Sequence, residues 1–265
     1  MLTASFCCLG DCQAQGASLF KDMNLLVSHA RQGRRPILAR LAAANCLLLA
    51  ACGQPAGTPT APSVISQQAS PVAESTEGAV TVVFLGDSLT AGYGLSPADA
   101  LPAQVEAFWR TQQINAVAIN AGVSGDTTAN GLARFDWSVS AAKPDLLVVA
   151  LGANDFLMGI DPAIARSNLE AILDRAAQED IRTVLVGLEL RGDVQQGSLE
   201  AAYARIYPEL AEAYQLDYYP SLLAGIEATP SMLQPDGLHP TQEGVVTIAK
   251  PLAEFLTPIV QSIEK

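Results

Sequence analysis

The chain has 265 residues, enough for one sizeable core with tails. Apolar residues make up 49% and charged residues 16%, which excludes a chain disordered throughout. With 15 basic against 27 acidic side chains the formal net charge is −12, which argues against the basic surface that a nucleic-acid partner requires.

The N-terminal region reads as an address. Residues 31–40 (R-Q-G-R-R-P-I-L-A-R) are basic, and L-A-A-A-N-C-L-L-L-A-A follows. A basic stretch before a short apolar run is a secretory signal, too short to span a bilayer. The run ends in Leu49-Ala50-Ala51-Cys52, which resembles the lipobox of bacterial lipoproteins, where cleavage precedes a cysteine that is then lipidated. A plain signal with a chance cysteine is the competing reading. Residues 1–22 fit no signal pattern and Met23 would begin a signal of ordinary length, so 1–22 read as a misassigned start. Residues 52–78 then comprise the lipidated Cys52 and a flexible linker rich in Pro, Ala, Thr, Ser and Gln. Beyond Cys52 there are 10 basic and 25 acidic residues, a net charge of −15, so the acyl chains and not basic side chains would hold the protein to a membrane.

The cysteines are Cys7, Cys8, Cys12, Cys46 and Cys52, and the histidines are His29 and His239. Downstream of Cys52 the chain therefore has no means to form a disulfide or a cysteine- or histidine-rich metal site. No metal and no cofactor is predicted.

From residue 79 to 265 the pattern alternates as in one α/β domain. Apolar, β-rich runs occur at 79–85, 114–119, 145–151 and 182–188, with a weaker one at 216–219. Such runs suit strands buried on both faces of a parallel sheet. Between them, Pro102 can start a helix with Val105, Phe108 and Trp109 inward. A further helix is predicted over 127–141. Asp161-Pro162 signals the start of another, with Ala165, Leu169, Ile172, Leu173 and Ala176 on its apolar face. Ser198 can cap the next, carrying Tyr203, Ile206 and Leu210. The last runs from Thr241 with Val245, Ile248, Ala249, Leu252, Leu256 and Ile259 inward, and Pro251 is a candidate kink. This alternation predicts a three-layer, doubly wound, flavodoxin-like sheet of about five parallel strands with helices on both faces. Ligands in such folds sit at the carboxyl ends of the strands.

The loops at those ends read Gly86-Asp87-Ser88-Leu89, then Asn120 to Thr127 (N-A-G-V-S-G-D-T), then Gly152-Ala153-Asn154-Asp155, and finally Asp236-Gly237-Leu238-His239-Pro240. Four blocks in this order resemble the SGNH hydrolase superfamily, the GDSL-type esterases, over essentially all of 79–262. G-D-S-L-T-A-G-Y-G at 86–94 and I-Y-P-E-L at 206–210 bring the chain nearest to the bacterial periplasmic thioesterase I, arylesterase and lysophospholipase group.

The chemistry of these residues agrees. Ester hydrolysis needs a nucleophile, a base, a group that orients the base, and donors for the developing oxyanion. Ser88 stands where a strand turns into a loop or helix; alone, it would read as a helix cap. His239 is the sole histidine beyond Cys52, and Asp236 three residues earlier can orient it. The resemblance makes Ser88, His239 and Asp236 the catalytic residues. It also makes the backbone N–H groups of Ser88 and Gly125 and the side-chain amide of Asn154 the oxyanion hole. A turn glycine and a loop asparagine bonding its own backbone are the plainer readings of the last two. Asp87, Asp126 and Asp155 read as structural, and Trp109, Phe108 and Tyr207 as core. Phe156, Leu157 and Met158 are a candidate acyl pocket, while the loop at 187–198 is polar. The chain lacks a G-x-S-x-G elbow, a P-loop and H-E-x-x-H, and Pro97 stands where a dinucleotide fingerprint needs Gly or Ala.

The resulting expectation is a serine esterase acting on small ester substrates, with short to medium acyl esters favoured and thioesters or lysophospholipids also in range. It would be lipid-anchored at Cys52 in a bacterial cell envelope. Gly53 after Cys52, where inner-membrane retention prefers Asp, points to the outer membrane facing the periplasm. A cell-envelope carbohydrate O-deacetylase and a non-enzymatic lipoprotein binding module are the alternatives. No protein partner is predicted.

Overall fold

The computed structural model describes residues 78–188, 195 and 197–263. The predicted signal, Cys52, nearly all of the linker and most of the loop at 187–198 lie outside these residues.

Five parallel strands form one sheet: β1 (Val80–Gly86), β2 (Ala116–Gly122), β3 (Leu146–Ala150), β4 (Arg182–Val186) and β5 (Asp217–Tyr219). Their order is β2-β1-β3-β4-β5, the flavodoxin-like arrangement, with every neighbouring pair parallel. Each predicted run thus contributes one strand. β2 is the main shift: it was expected over 114–119 and extends to Gly122 because Asn120, Ala121 and Gly122 pair with Phe84, Leu85 and Gly86 of β1.

Strand alternation divides the core in two. Val80, Val82, Phe84, Leu146, Val148, Val184 and Val186 face one side, against α2 (Leu101–Thr111) and α8 (Gln242–Gln261). Val83, Leu85, Leu147, Val149 and Leu185 face the other, against α6 (Pro162–Gln178) and α7 (Leu199–Tyr214). All twelve are buried, and each such side chain contributes roughly 1.5–3 kcal/mol on burial. On the first side Trp109 is buried, and its indole N–H donates to the Ala253 carbonyl at 3.4 Å, tying α2 to α8.

The helix starts follow local chemistry. Asp161, Ser198 and Thr241 cap α6, α7 and α8 with their side chains, as their positions in the sequence suggest. α8 continues through Pro251 and Pro258 as one element of 20 residues. Phe108 is half-buried, whereas Trp109 and Tyr207 are core residues. The single helix expected over 127–141 is instead α3 (Thr128–Ala133), α4 (Phe135–Ser138) and a 3₁₀ turn at Ser140–Ala142. The break falls at Arg134, whose buried side chain turns inward to the sheet edge. Two short helices complete the fold, α1 (Ser88–Ala91) directly after β1 and α5 (Ala153–Leu157) after β3. Among the described residues no helix is long and apolar enough to cross a membrane.

Candidate active site

β1 ends against the first turn of α1. A Cβ on Gly86 would lie 2.0 Å from the Thr90 hydroxyl oxygen, so only glycine lets the chain fold back this tightly. Asp87 caps the turn, its carboxylate accepting the Leu89 N–H at 3.0 Å. Ser88 is therefore the first residue of a helix mounted on a strand end.

His239 arrives from the far end of the chain. The segment before α8 closes as a narrow loop in which Leu233 bridges Pro240 and the Gln234 N–H donates to the His239 carbonyl at 2.7 Å. Inside the loop one Asp236 oxygen accepts the N–H groups of Leu238 and His239 at 2.9 and 3.0 Å. Its other oxygen lies 2.7 Å from His239 Nδ1, and His239 Nε2 lies 2.8 Å from Ser88 Oγ. With Nδ1 carrying the proton toward the carboxylate, Nε2 is left to accept from the serine hydroxyl. Hydrogen bonding to His239, together with the two backbone donors, lowers the Asp236 carboxyl to about 2, so it is ionised at neutral pH.

Donors approach from two other loops. Gly125 has φ +88°, a left-handed conformation that disfavours other residues, and a Cβ there would meet open space. The Asn154 amide donates to the Asp126 carbonyl at 2.9 Å, leaving its second N–H available. The backbone N–H groups of Ser88 and Gly125 have no acceptor among the described residues. Ser88, Gly125, Asn154 and His239 line one cleft of about 270 Å³ with Tyr93, Ser124 and Leu157. A hydroxyl, an imidazole, a carboxylate and convergent N–H groups around one space can pass a proton and stabilise a developing negative oxygen.

The three structural aspartates are each satisfied by a different partner. Asp155 is buried and accepts the N–H and hydroxyl of Thr128 at 2.8 and 2.6 Å. Asp126 pairs with Arg134 at 2.5 Å. Arg134 also donates to the Gly86 carbonyl at 2.9 Å and to Ser138 at 3.0 Å. Arg134 was not singled out in the sequence; the available signal was one arginine in the otherwise apolar run G-L-A-R-F, eight residues beyond Asp126. Nothing local in the sequence marks Tyr93 or Gln234 as a site residue either.

The three residues of the predicted acyl pocket do not share a wall. Leu157 lines the cleft. Phe156 packs edge-on against Tyr203, ring centroids 5.5 Å apart, and Met158 is exposed at 63% outside the cleft lining. Consecutive residues on or beside a helix diverge by about 100°, so α5 cannot aim all three at one space. A smaller apolar cavity of about 50 Å³ instead adjoins the cleft, sharing Asp87, Leu89 and Ala153 with it and lined by Leu151, Val186, Leu188, Leu222 and Leu223.

Comparison with known proteins bears on this geometry. The profile of the GDSL-like Lipase/Acylhydrolase family matches residues 84–245. The chain is 32% identical over 180 residues to the thioesterase 1/protease 1/lysophospholipase L1 of Escherichia coli (strain K12), covering 68% of this chain and 85% of that one. It is 33% identical over 175 residues to the arylesterase of Vibrio mimicus, covering 66% and 87%. The crystal structure of AlinE4, an SGNH-hydrolase family esterase, superposes with a TM-score of 0.56 at 39% identity, covering 69% of this chain and 95% of that one.

Asp87 generates a pH prediction. Burial is the largest influence on its carboxyl and raises it to about 6 from an ordinary 3.8, against the opposing Leu89 N–H and His239. The folded chain then keeps a proton that the unfolded chain has lost between about pH 4 and 6, so stability falls as pH rises through that window. The contribution is on the order of 2–3 kcal/mol. Asp87→Asn keeps an oxygen for the Leu89 N–H and removes the titration. Its Tm measured by calorimetry from pH 4 to 6 is expected to decline less than that of the wild type; parallel profiles would assign the slope to other groups.

Proposed function

The chain belongs to the GDSL-like lipase/acylhydrolase family, and we propose that it is an esterase in which Ser88 is the nucleophile, His239 the general base and Asp236 the group that orients it. The observation that carries this reading is the continuous relay from Ser88 Oγ through both nitrogens of His239 to Asp236, between residues 151 apart in sequence. Ser88 attacks the ester carbonyl as its proton passes to Nε2. The imidazolium returns that proton to the leaving alcohol, and water repeats the cycle on the acyl-serine. The N–H groups of Ser88 and Gly125 and the free amide hydrogen of Asn154 act as the oxyanion donors.

The substrates are carboxylic esters with short to medium acyl chains, thioesters included. The names of the relatives, a thioesterase and lysophospholipase in one case and an arylesterase in another, support an activity in this range. The mainly apolar cleft and the small apolar cavity that adjoins it among the described residues favour a chain of limited length. In the cell the protein is held to the periplasmic face of the outer membrane by acyl chains on Cys52, the reading that the lipobox-like Leu49-Ala50-Ala51-Cys52 supports.

Ser88→Ala is expected to fold normally and to lose hydrolysis of p-nitrophenyl esters, together with labelling by a fluorophosphonate, by several orders of magnitude. Asn154→Ala is expected to cost roughly 100- to 1000-fold in kcat with a smaller change in KM. A Ser88→Ala protein that keeps most of its activity would rule out the mechanism.

On a p-nitrophenyl series each methylene that fits is expected to raise kcat/KM by up to about fourfold, from burial of about 0.8 kcal/mol, with the rise ending well before palmitate. A rise continuing to palmitate would reject the limited pocket. Inactivity on every aryl ester with turnover of acetylated sugars would favour a carbohydrate deacetylase.

Cys52→Ala is expected to move the protein from the membrane to the soluble fraction of its host envelope, because two anchoring signals already suffice for stable binding and this residue would carry them all. Unchanged membrane partition would refute the anchor.

A further inference from the structure

The ring of Tyr93 lies over the imidazole of His239, with centroids 4.4 Å apart and planes tilted by 35°. Tyr93 is 50% exposed, so core packing is not its reason for being there. It stands one residue beyond the Gly92 cap of α1, and its N–H donates to the Ser88 carbonyl at 3.1 Å. Its own carbonyl accepts the side-chain amide of Gln234 at 2.8 Å. That same amide nitrogen donates to the Pro240 carbonyl at 2.9 Å, while the Gln234 backbone N–H donates to the His239 carbonyl. One glutamine therefore fastens the segment that carries the serine to the segment that carries the histidine.

Asp236 holds the Nδ1 end of the imidazole and leaves its faces untouched. A ring held at one nitrogen can still tilt about that hydrogen bond and lose its line to Ser88 Oγ. The overlying Tyr93 ring removes that freedom. We propose that Tyr93 is a positioning residue for ester hydrolysis: its ring, carried on backbone that Gln234 holds by the Tyr93 carbonyl, keeps His239 aimed at Ser88. The proposal rests on the reading of Ser88 and His239 as nucleophile and base. When Ser88 Oγ bonds to the carbonyl carbon, its proton moves to Nε2 and the imidazole becomes a cation beneath an aromatic face. Asp236 and Asp87 are the acidic groups whose charge acts on it. An aromatic face attracts such a cation, and more strongly once water is displaced. When the C–O bond of the tetrahedral intermediate breaks, the proton passes to the departing oxygen and the attraction ends. The contribution is therefore largest when the imidazole is charged, and its loss falls on kcat more than on KM.

The test compares Tyr93→Leu, Tyr93→Phe and Gln234→Leu with the wild-type protein and with Ser88→Ala. Leucine retains apolar cover and removes the π face. Tyr93→Leu is expected to lower kcat on p-nitrophenyl butyrate by roughly 3- to 30-fold while KM changes less than about threefold. Tyr93→Phe is expected to recover most of that loss, because the face and not the hydroxyl contacts the imidazole. Gln234→Leu is expected to give a smaller loss of the same kind. Proton NMR of the imidazole supplies a readout independent of turnover. The ring resonance of His239, the sole histidine beyond Cys52, is expected to move downfield in Tyr93→Leu as the overlying ring current disappears, and to stay in place in Tyr93→Phe. Unchanged kcat in Tyr93→Leu, or an increase in KM alone, would overturn the positioning role. Full activity in Ser88→Ala would overturn the nucleophile reading and this proposal with it. An inactive Ser88→Ala beside an unaffected Tyr93→Leu overturns the positioning role alone.

Discussion

A buried guanidinium stands behind the cleft, and the geometry in front of it follows from where its donors go. Arg134 is 5% exposed, and a charge so far from water is tolerated only when paired and fully hydrogen-bonded. Its partners are the Asp126 carboxylate, the Gly86 carbonyl and the Ser138 hydroxyl. Gly86 ends the strand that presents Ser88, and Asp126 follows Gly125. The Asp126 carbonyl in turn holds the Asn154 amide. Displacing Arg134 would strand a buried carboxylate and release the join between the first loop and the second, and through the Asp126 backbone the third. The same demand explains the broken helix over 127–141: a straight helix would keep Arg134 on one cylinder and away from the sheet edge, so α3 ends where the side chain must turn in.

The strand order supplies the other half of the constraint. β1 lies between β2 and β3, so the loops after these three strands are neighbours although their residues are up to 66 apart in sequence, from Ser88 to Asn154. The fourth loop has no strand to carry it. It is placed by α8, which packs on the same face of the sheet as α2 and is bonded to it through Trp109. His239 thus depends on two layers of packing and on the bonds within its own loop. That is the physical reason for local reinforcement there: Asp236 caps the turn and Gln234 closes it.

What could be read from the sequence divides along the same line. Apolar runs and capping residues report local demands, and they located all five strands and the caps of α6, α7 and α8. Chemically distinctive residues in ordered blocks located Ser88, Gly125, Asn154 and His239, which the structure brings around one cleft, and Asp236, which bonds His239 from outside the cleft lining. Contacts made by ordinary residues across the fold left no such trace. Gln234 acts through amide and backbone bonds to carbonyls, which any sequence offers. Tyr93 stands in the block G-D-S-L-T-A-G-Y-G that carries the family resemblance, where nothing in the sequence marks it as a neighbour of His239. The apolar cavity collects residues from four separate segments, and of adjacent Phe156, Leu157 and Met158 only Leu157 lines the cleft: they are contiguous in sequence and divergent in space.

Four carboxylates, Asp87, Asp126, Asp155 and Asp236, lie at or behind a site proposed to gather negative charge on a substrate oxygen, and the way each is compensated resolves the tension. Asp126 faces a guanidinium and Asp155 faces the N–H and hydroxyl of Thr128, so both spend their charge on neighbours behind the cleft. Asp236 spends its charge on the far nitrogen of His239, where, in the proposed mechanism, it favours the imidazolium that forms during attack. Among the described residues Asp87 forms no ion pair, and burial outweighs the backbone N–H of Leu89 and the influence of His239, so its proton is held to about pH 6. Above that pH the ionised carboxylate opposes a developing oxyanion nearby and attracts the imidazolium. Below it both effects vanish together. The two influences have opposite signs in one transition state, where the oxyanion and the imidazolium form as a pair, so their sum is smaller than either alone. In the proposed mechanism an acidic residue next to Ser88 is therefore compatible with acyl transfer, provided the neutral donors of Ser88, Gly125 and Asn154 carry the stabilisation of the oxyanion.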